Sequence, residues 1–190
     1  MNSPKDSPVE LKPTAALAAG LLSELGVSHV VTLPDNHSAP LIDALQSEGQ
    51  IPVIFGTREG EVISMASGLW LGGGDPLVLI QNTGMLEAGD ALRGTASRMG
   101  VPLLILVTCR GFAKSRAFGL EPSEVEMTRD TLVRADLDSV APMTESTLRA
   151  WGIPFVQLRD ANELSPIREG WEMAHREMRP VAVLVDTLFG

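Results

Sequence analysis

The chain has 190 residues, 44% of them hydrophobic and 21% charged, with a formal net charge of −9 and one cysteine, Cys109. Length and apolar content fit one globular domain with a sizeable core and exclude disorder for most of the chain. The acidic balance argues against general nucleic-acid binding and adhesion to anionic membranes, and a lone cysteine permits neither an intrachain disulfide nor a cysteine metal cluster.

In chain order, "MNSPKDSPVE" lacks the apolar stretch of a secretory signal. Residues 1–11 are expected to form a flexible arm and residues 12–190 one domain. No apolar run reaches the length of a membrane span, and the cytoplasm is the expected compartment. A helix is predicted over 12–25, starting beside a proline and stopping at Gly26. Strand 27–33 follows, then helix 38–48 ending at Gly49, strand 51–56, and helix 58–71 ending at a triple glycine. Strand 76–82 precedes helix 86–99, which stops at Gly100, and strand 101–109 follows. Residues 110–141 have no clear period, and a connection of that length is usually functional or mobile. Helix 144–151, strand 153–158, helix 161–178 and strand 180–186 complete the chain. The last helix carries Leu164, Ile167, Trp171, Ala174 and Met178 on one stripe.

The strands are rich in Val, Ile and Leu without strict alternation, the pattern of strands covered on both faces. Strands alternating with helices imply βαβ units. The predicted fold is α/β: a doubly wound, mostly parallel six-stranded sheet with helices on both faces.

Ligands of such sheets gather beyond the carboxyl ends of the strands. There this chain places "PDNH" (34–37), "TREGE" (57–61), "QNTGMLEAGD" (81–90) and "CRGFAKSR" (109–116). Acids, amides, hydroxyls and bases are thereby collected along one edge. Each has a plainer reading. Glu59 and Glu61 stabilise a helix N-terminus that Thr57 caps, an effect of a few tenths to about 1 kcal/mol. Asp35 after Pro34 is ordinary turn chemistry, His37 a solvated residue, and Asn82-Thr83-Gly84 a strand-to-helix turn. Gly60, Ser64, Ser67, Gly68 and Leu71 lie near one helical stripe, suited either to packing on the domain's own sheet or to a subunit interface.

The glycines do not form a dinucleotide fingerprint or a P-loop. "GGGDP" lies on the wrong edge for a phosphate cradle. No His/Cys/carboxylate set has metal-ligand spacing and no nucleophile elbow is present. One further feature concerns charge: from Ala91 to Leu120 there is no acidic residue, whereas Arg93, Arg98, Arg110, Lys114 and Arg116 all occur. Such a stretch suits an anionic head group, with Arg110 and Lys114 best placed, or is ordinary surface charge.

"REGEVISMASGLWLGGGDPLVLIQNTG", preceded by "TLPDN" and followed by "VPLLILVTCRG" and "MTESTLRAWGIPFVQL", resembles the pyrimidine-binding domain of thiamine-diphosphate-dependent 2-oxoacid decarboxylases. The resemblance is strongest to the sulfopyruvate and phosphonopyruvate decarboxylase branch, in its alpha-subunit form. It implies that the carboxyl group of Glu59 hydrogen-bonds N1′ of the cofactor aminopyrimidine and so activates the thiazolium for loss of its C2 proton. It implies that Gln81, Asn82, Thr83 and Gly84 lie beside the cofactor. It places Asp35 and Asn36, in the loop after the first strand, near the substrate. Asp35 is expected to be catalytic beside Glu59, and Asn36, His37, Arg110 and Lys114 are expected to bind the substrate, the last two on the charge pattern alone. The family's G-D-G sequence and later Asn, which hold Mg²⁺ and the diphosphate, are not found here in that arrangement. The resemblance therefore implies a separate beta subunit carrying them, and a hetero-oligomer as the active form. Where other members have "NSGLGN" this chain has "NTGMLEAG", a departure that bears on substrate recognition. The expected activity is decarboxylation of 3-sulfopyruvate or 3-phosphonopyruvate to the aldehyde. The alternatives are decarboxylation or carboligation of another 2-oxoacid, and a non-catalytic flavodoxin-like module that binds an anion.

Overall fold

The computed structural model describes residues 13–187 and Phe189. The flexible arm expected over 1–11 lies outside the described residues. Helix α1 (Pro13–Glu24) leads into β1 (His29–Thr32), α2 (Ala39–Glu48), β2 (Val53–Phe55), α3 (Glu59–Leu71) and β3 (Pro76–Gln81). Next come α4 (Asn82–Glu87), α5 (Gly89–Ala91) and a π-helical turn over Leu92–Ser97, then β4 (Leu104–Thr108). Helix α6 (Phe112–Ala117), a 3₁₀ turn (Pro122–Glu124) and α7 (Arg129–Leu132) precede α8 (Val140–Ala150). The chain ends through β5 (Phe155–Leu158), α9 (Ser165–Glu177) and β6 (Val181–Val185).

The six strands form one sheet in the order β2-β1-β3-β4-β6-β5, every pair parallel. Alternate residues of each central strand enter opposite cores, as a period of two requires. Leu77, Leu79, Leu104, Leu106, Val183 and Val185 meet α1, α2 and α9 on one face. Val78, Ile80, Ile105, Val107, Ala182 and Leu184 meet α3, the helical run after β3 and α8 on the other. Helix α9 lies close to its face because Gly170 has no side chain. A Cβ there would stand 2.8 Å from Val183 Cγ2 and 2.9 Å from Leu104 Cδ1.

Two element boundaries differ from the sequence expectation in a way that shapes the site. The helix expected over 86–99 starts at Asn82, so "QNTG" is not a loop; Gln81 ends the strand and Asn82 begins the helix. Asn, Thr and Gly are weak helix formers, and tertiary contacts of the Asn82 side chain override their preference. The stretch 110–141 holds α6, the 3₁₀ turn and α7, and α8 already begins at Val140. Pro142 falls in the first turn of α8, where its missing N–H has no helical partner to lose.

The strand order turns outward in both directions from the β1/β3 pair, because β2 lies beyond β1 and β4 beyond β3. At such a switch point the connections leave to opposite sides and open a crevice at the carboxyl ends.

Candidate active site

That crevice exists. A cleft of about 140 Å³ is lined by Leu33, Pro34 and Asp35 beyond β1, Glu59 beyond β2, and Ile80, Gln81 and Thr83 at the end of β3. Three segments distant in sequence thus deliver two carboxylates, an amide and a hydroxyl against apolar walls.

Glu59 is the first residue of α3, yet it does not cap that helix. Thr57 is not the cap either; Arg58 holds that position with extended backbone. Two other acids brace this helix start, one closing the residue before the cap and one taking a first-turn N–H. Glu61 reaches back with Oε2 to accept from Thr57 N–H at 2.7 Å and from its hydroxyl at 2.8 Å. Glu87, from the far end of α4, accepts the Gly60 N–H through Oε2 at 2.9 Å. Its Oε1 receives Arg58 Nη2 at 2.5 Å and Nε at 3.1 Å. These donors hold both carboxyls below the ordinary glutamate value of 4.5: Glu61 chiefly through the Thr57 N–H, Glu87 chiefly through the Gly60 N–H. The half-buried carboxyl of Glu59 takes no part in these contacts and has no hydrogen bond or ion pair to another described residue.

What fixes Glu59 in place is steric. Gly84 is buried beneath it, and a Cβ at that position would fall 2.6 Å from Glu59 Cδ. Gly84 is absent from the positive-φ glycines, so close approach rather than backbone freedom demands a glycine here.

Asp35 lines the same cleft, but its carboxylate is committed to its own turn. Oδ1 accepts His37 N–H at 2.7 Å and, more loosely, Gln81 Nε2 at 3.4 Å, and Oδ2 accepts the Ser38 hydroxyl. Gln81 in turn accepts the Thr83 hydroxyl at 2.7 Å. Asn36 faces a separate outer groove with Ala39, Ile42 and Phe55. His37 lines a third cavity, of about 260 Å³, with Cys109, Val185 and Asp186. Neither shares the Glu59 cleft. Burial pushes the Cys109 thiol well above its ordinary range.

Asn82 is fully buried and spent on the protein itself. Its Nδ2 donates to the Arg110 carbonyl at 2.9 Å and to Thr144 Oγ1 at 3.0 Å. Its Oδ1 accepts the N–H groups of Thr83 and Arg110, each at 3.1 Å. The side chain therefore ties α4 to the end of β4 and to α8, and has nothing left for a ligand.

The acid-free stretch 91–120 is not a field of free cations. Arg93 pairs with Asp90 at 2.5 Å, Arg110 with Asp138 at 3.0 Å, and Arg116 with Glu121 at 2.9 Å and with Asp186. Lys114 Nζ donates to the Ala135 carbonyl at 3.1 Å. All of the acids that answer these cations lie outside the stretch, so the linear charge count overstates its field. The small-residue stripe of α3 also divides. Ser67 is buried and donates to the Ile63 carbonyl, whereas Ser64, Gly68 and Leu71 are exposed. A Cβ at Gly68 would meet nothing within 4 Å.

Glu61, Glu87, Asp138 and Thr144 are the participants that sequence reasoning did not assign to these contacts. Glu61 had a detectable signal, its spacing of four from Thr57. The other three act across 27 residues or more. Among the described residues no group of three or more His, Cys, Asp and Glu is arranged to hold a metal ion, and no helix is long and apolar enough to cross a membrane.

Residues 13–131 match the family described as the thiamine pyrophosphate enzyme, N-terminal TPP binding domain. Over 164 residues the chain is 27% identical to the sulfopyruvate decarboxylase subunit alpha of Methanococcus maripaludis, covering 86% of this chain and 89% of that one. Over 97 residues it is 34% identical to the phosphonopyruvate decarboxylase of Streptomyces viridochromogenes, 51% of this chain but only 24% of that enzyme. Among solved structures, a 2-oxoglutarate:ferredoxin oxidoreductase from Magnetococcus marinus shares the fold, with a TM-score of 0.62 and 17% identity, over 99% of this chain and 31% of that one. The chain thus spans about a quarter of the phosphonopyruvate decarboxylase but nearly the whole length of the sulfopyruvate decarboxylase alpha subunit.

Proposed function

The chain belongs to the family of thiamine pyrophosphate enzyme N-terminal TPP binding domains, and from that premise we propose that it is the alpha-type subunit of a thiamine-diphosphate-dependent 2-oxoacid decarboxylase. The observation that carries this reading is Glu59. Its carboxyl lies over Gly84 in the switch-point cleft and takes no part in the contacts that Glu61 and Glu87 make at the start of α3. A carboxyl group without a partner among the described residues, between the apolar walls of Leu33 and Ile80, fits the polar edge of an aminopyrimidine ring.

When bound, thiamine diphosphate supplies the electron sink for the carbanion left by loss of CO₂. This chain's part is to hold the pyrimidine and move one proton at its edge. Glu59 shares that proton through its carboxyl. Gly84 leaves the room Glu59 needs, and Gln81 and Thr83 present an amide and a hydroxyl on the same wall. Asp35 holds the β1 loop against Gln81. Asn82 contributes by position rather than contact, fastening the start of α4.

Mg²⁺ and the diphosphate belong, in this proposal, to a beta subunit. The relatives that match nearly the whole chain are themselves named as alpha subunits, which supports that division. The exposed Ser64, Gly68 and Leu71 face of α3 is the surface we assign to subunit contact. The substrate we assign is 3-sulfopyruvate or 3-phosphonopyruvate, after the named relatives. Its second anionic group is received at Arg110 and Lys114, with Asn36 and His37 on the flanks. The active assembly is placed in the cytoplasm.

The test is to purify the chain gently from its native cells, identify what accompanies it, and assay the complex with both substrates, thiamine diphosphate and Mg²⁺. A copurifying subunit and release of CO₂ with the sulfonated or phosphonated acid support the proposal. Turnover of a 2-oxoacid without a second anionic group in preference to both moves the assignment to another decarboxylase of the family. A solitary chain that binds no thiamine diphosphate with Mg²⁺ overturns it.

A further inference from the structure

The two cations assigned to the substrate's anionic group are both fastened to one short segment between α7 and α8. Lys114 Nζ is bonded to the Ala135 carbonyl, and Arg110 Nε to Asp138 Oδ2. Arg110 is the more rigidly set of the two. Its N–H and its carbonyl are both held by the buried Asn82 side chain. It leaves the sheet two residues beyond Thr108, which pairs in register with Gln81 of the cleft wall. One strand spacing, about 4.8 Å, separates those neighbouring strands.

The Asp138 contact is built for a carboxylate yet loosely closed. Gly111, at φ +87°, lets Asp138 seat directly on the backbone; a Cβ there would stand 2.8 Å from Asp138 Cβ. The ion pair uses Nε, with the two side chains 56% and 28% exposed. Exposed pairs of this kind are worth little and yield to a better partner. A phosphonate or sulfonate competes for the same guanidinium, because two of its oxygens can pair bidentately with the Arg110 fork while the third remains for Lys114. Within the segment, Arg134 and Asp136 already pair with each other at 2.6 Å.

We propose that the Asp138 carboxylate is an internal stand-in for the substrate's second anionic group, so that this group binds Arg110 by displacing Asp138 and unlatching residues 135–138. The inference rests on the assignment of Arg110 and Lys114 to the anionic group. It adds a specificity device: a 2-oxoacid without a second anionic group cannot displace the latch, and one that carries a sulfonate or phosphonate can.

The test needs neither turnover nor cofactor, so it stands apart from the catalytic reading. Methylphosphonate and methanesulfonate, with acetate as control, are titrated into the full chain by calorimetry. Asp138→Asn is expected to tighten methylphosphonate about three- to fivefold, the full worth of an exposed ion pair. Arg110→Gln is expected to abolish binding. Asp130→Asn removes the same charge from the exposed helix α7 and is expected to change affinity little. In the wild-type chain, hydrogen exchange of the 133–139 amides is expected to quicken when methylphosphonate is added. Unchanged or weaker binding by Asp138→Asn overturns the proposal, as does equal tightening by Asp130→Asn. Exchange that slows or stays constant in the segment, a measurement independent of any variant, also overturns it. If no anion binds even at high concentration, the Arg110 assignment falls and this proposal with it, while turnover by the assembled enzyme continues to test Glu59.

Discussion

Replacing Gly84 by alanine separates the stability of this chain from the placement of its central carboxyl. The added Cβ would lie 2.6 Å from Glu59 Cδ, and the three nearest atoms it would meet all belong to the Glu59 side chain. Non-bonded carbons rest about 3.5–4.0 Å apart, so the carboxyl must withdraw by about 1 Å. Gly84 sits inside α4 without positive φ, and alanine there gains up to about 1 kcal/mol in helix propensity. For a chain of this size that gain is about 2–4 °C in Tm, and it offsets the local repacking. A catalytic group displaced by about 1 Å loses about 10²-fold in rate. Gly84→Ala is therefore expected to keep Tm within about 4 °C of wild type while kcat/KM of the assembled enzyme falls about 100-fold. Calorimetry and steady-state decarboxylation measure the two quantities on the same preparation. Activity within about fivefold of wild type refutes the claim that Glu59 must lie where Gly84 allows it. A large loss of Tm refutes the claim that only Glu59 feels the change.

Asn82→Ala leaves the Arg110 carbonyl and N–H and the buried Thr144 hydroxyl without their partner and is expected to cost about 1–3 kcal/mol of stability by denaturant unfolding; a cost below about 0.5 kcal/mol contradicts the clamp. Gly170→Ala must lift α9 from Val183 and Leu104, with an expected loss of about 1–3 kcal/mol and no change in cofactor affinity. Glu61 and Glu87 have folded pKa values depressed by the Thr57 and Gly60 N–H groups, so their contribution is present above 4.5 and is lost as pH falls through the lower folded values. NMR titration of the Thr57 and Gly60 amide protons is expected to give midpoints below 4.5, and midpoints at or above it contradict the assignment of these caps.

The sheet was legible because buried parallel strands are continuous apolar runs, and six such runs are the six strands. Helix starts were less so. Asn82, Thr83 and Gly84 look like a turn by propensity, and only the buried bonds of Asn82 to Arg110 and Thr144 make them a first helical turn. In the site, Glu59 and Gly84 were both marked by the resemblance. That one rests upon the other is a fact of packing between segments that no local pattern carries. Glu87 was hidden for the same reason. It departs from the relatives' "NSGLGN", yet it faces Arg58 and Gly60 rather than the substrate loop. Arg110 and Lys114 were found by counting charge along the chain, which overlooked carboxylates and carbonyls that folding brings from residues 121–138 and 186.

Glu59→Gln, assembled with the partner subunit, thiamine diphosphate and Mg²⁺, tests the central claim most directly. The amide keeps the shape of the side chain over Gly84 but cannot share a proton as a carboxyl does. Decarboxylation is expected to fall by at least about 10²-fold, the scale of general acid–base catalysis, with assembly and Tm unchanged. Activity within a few-fold of wild type would mean that the unpartnered carboxyl in the switch-point cleft is not the catalytic group.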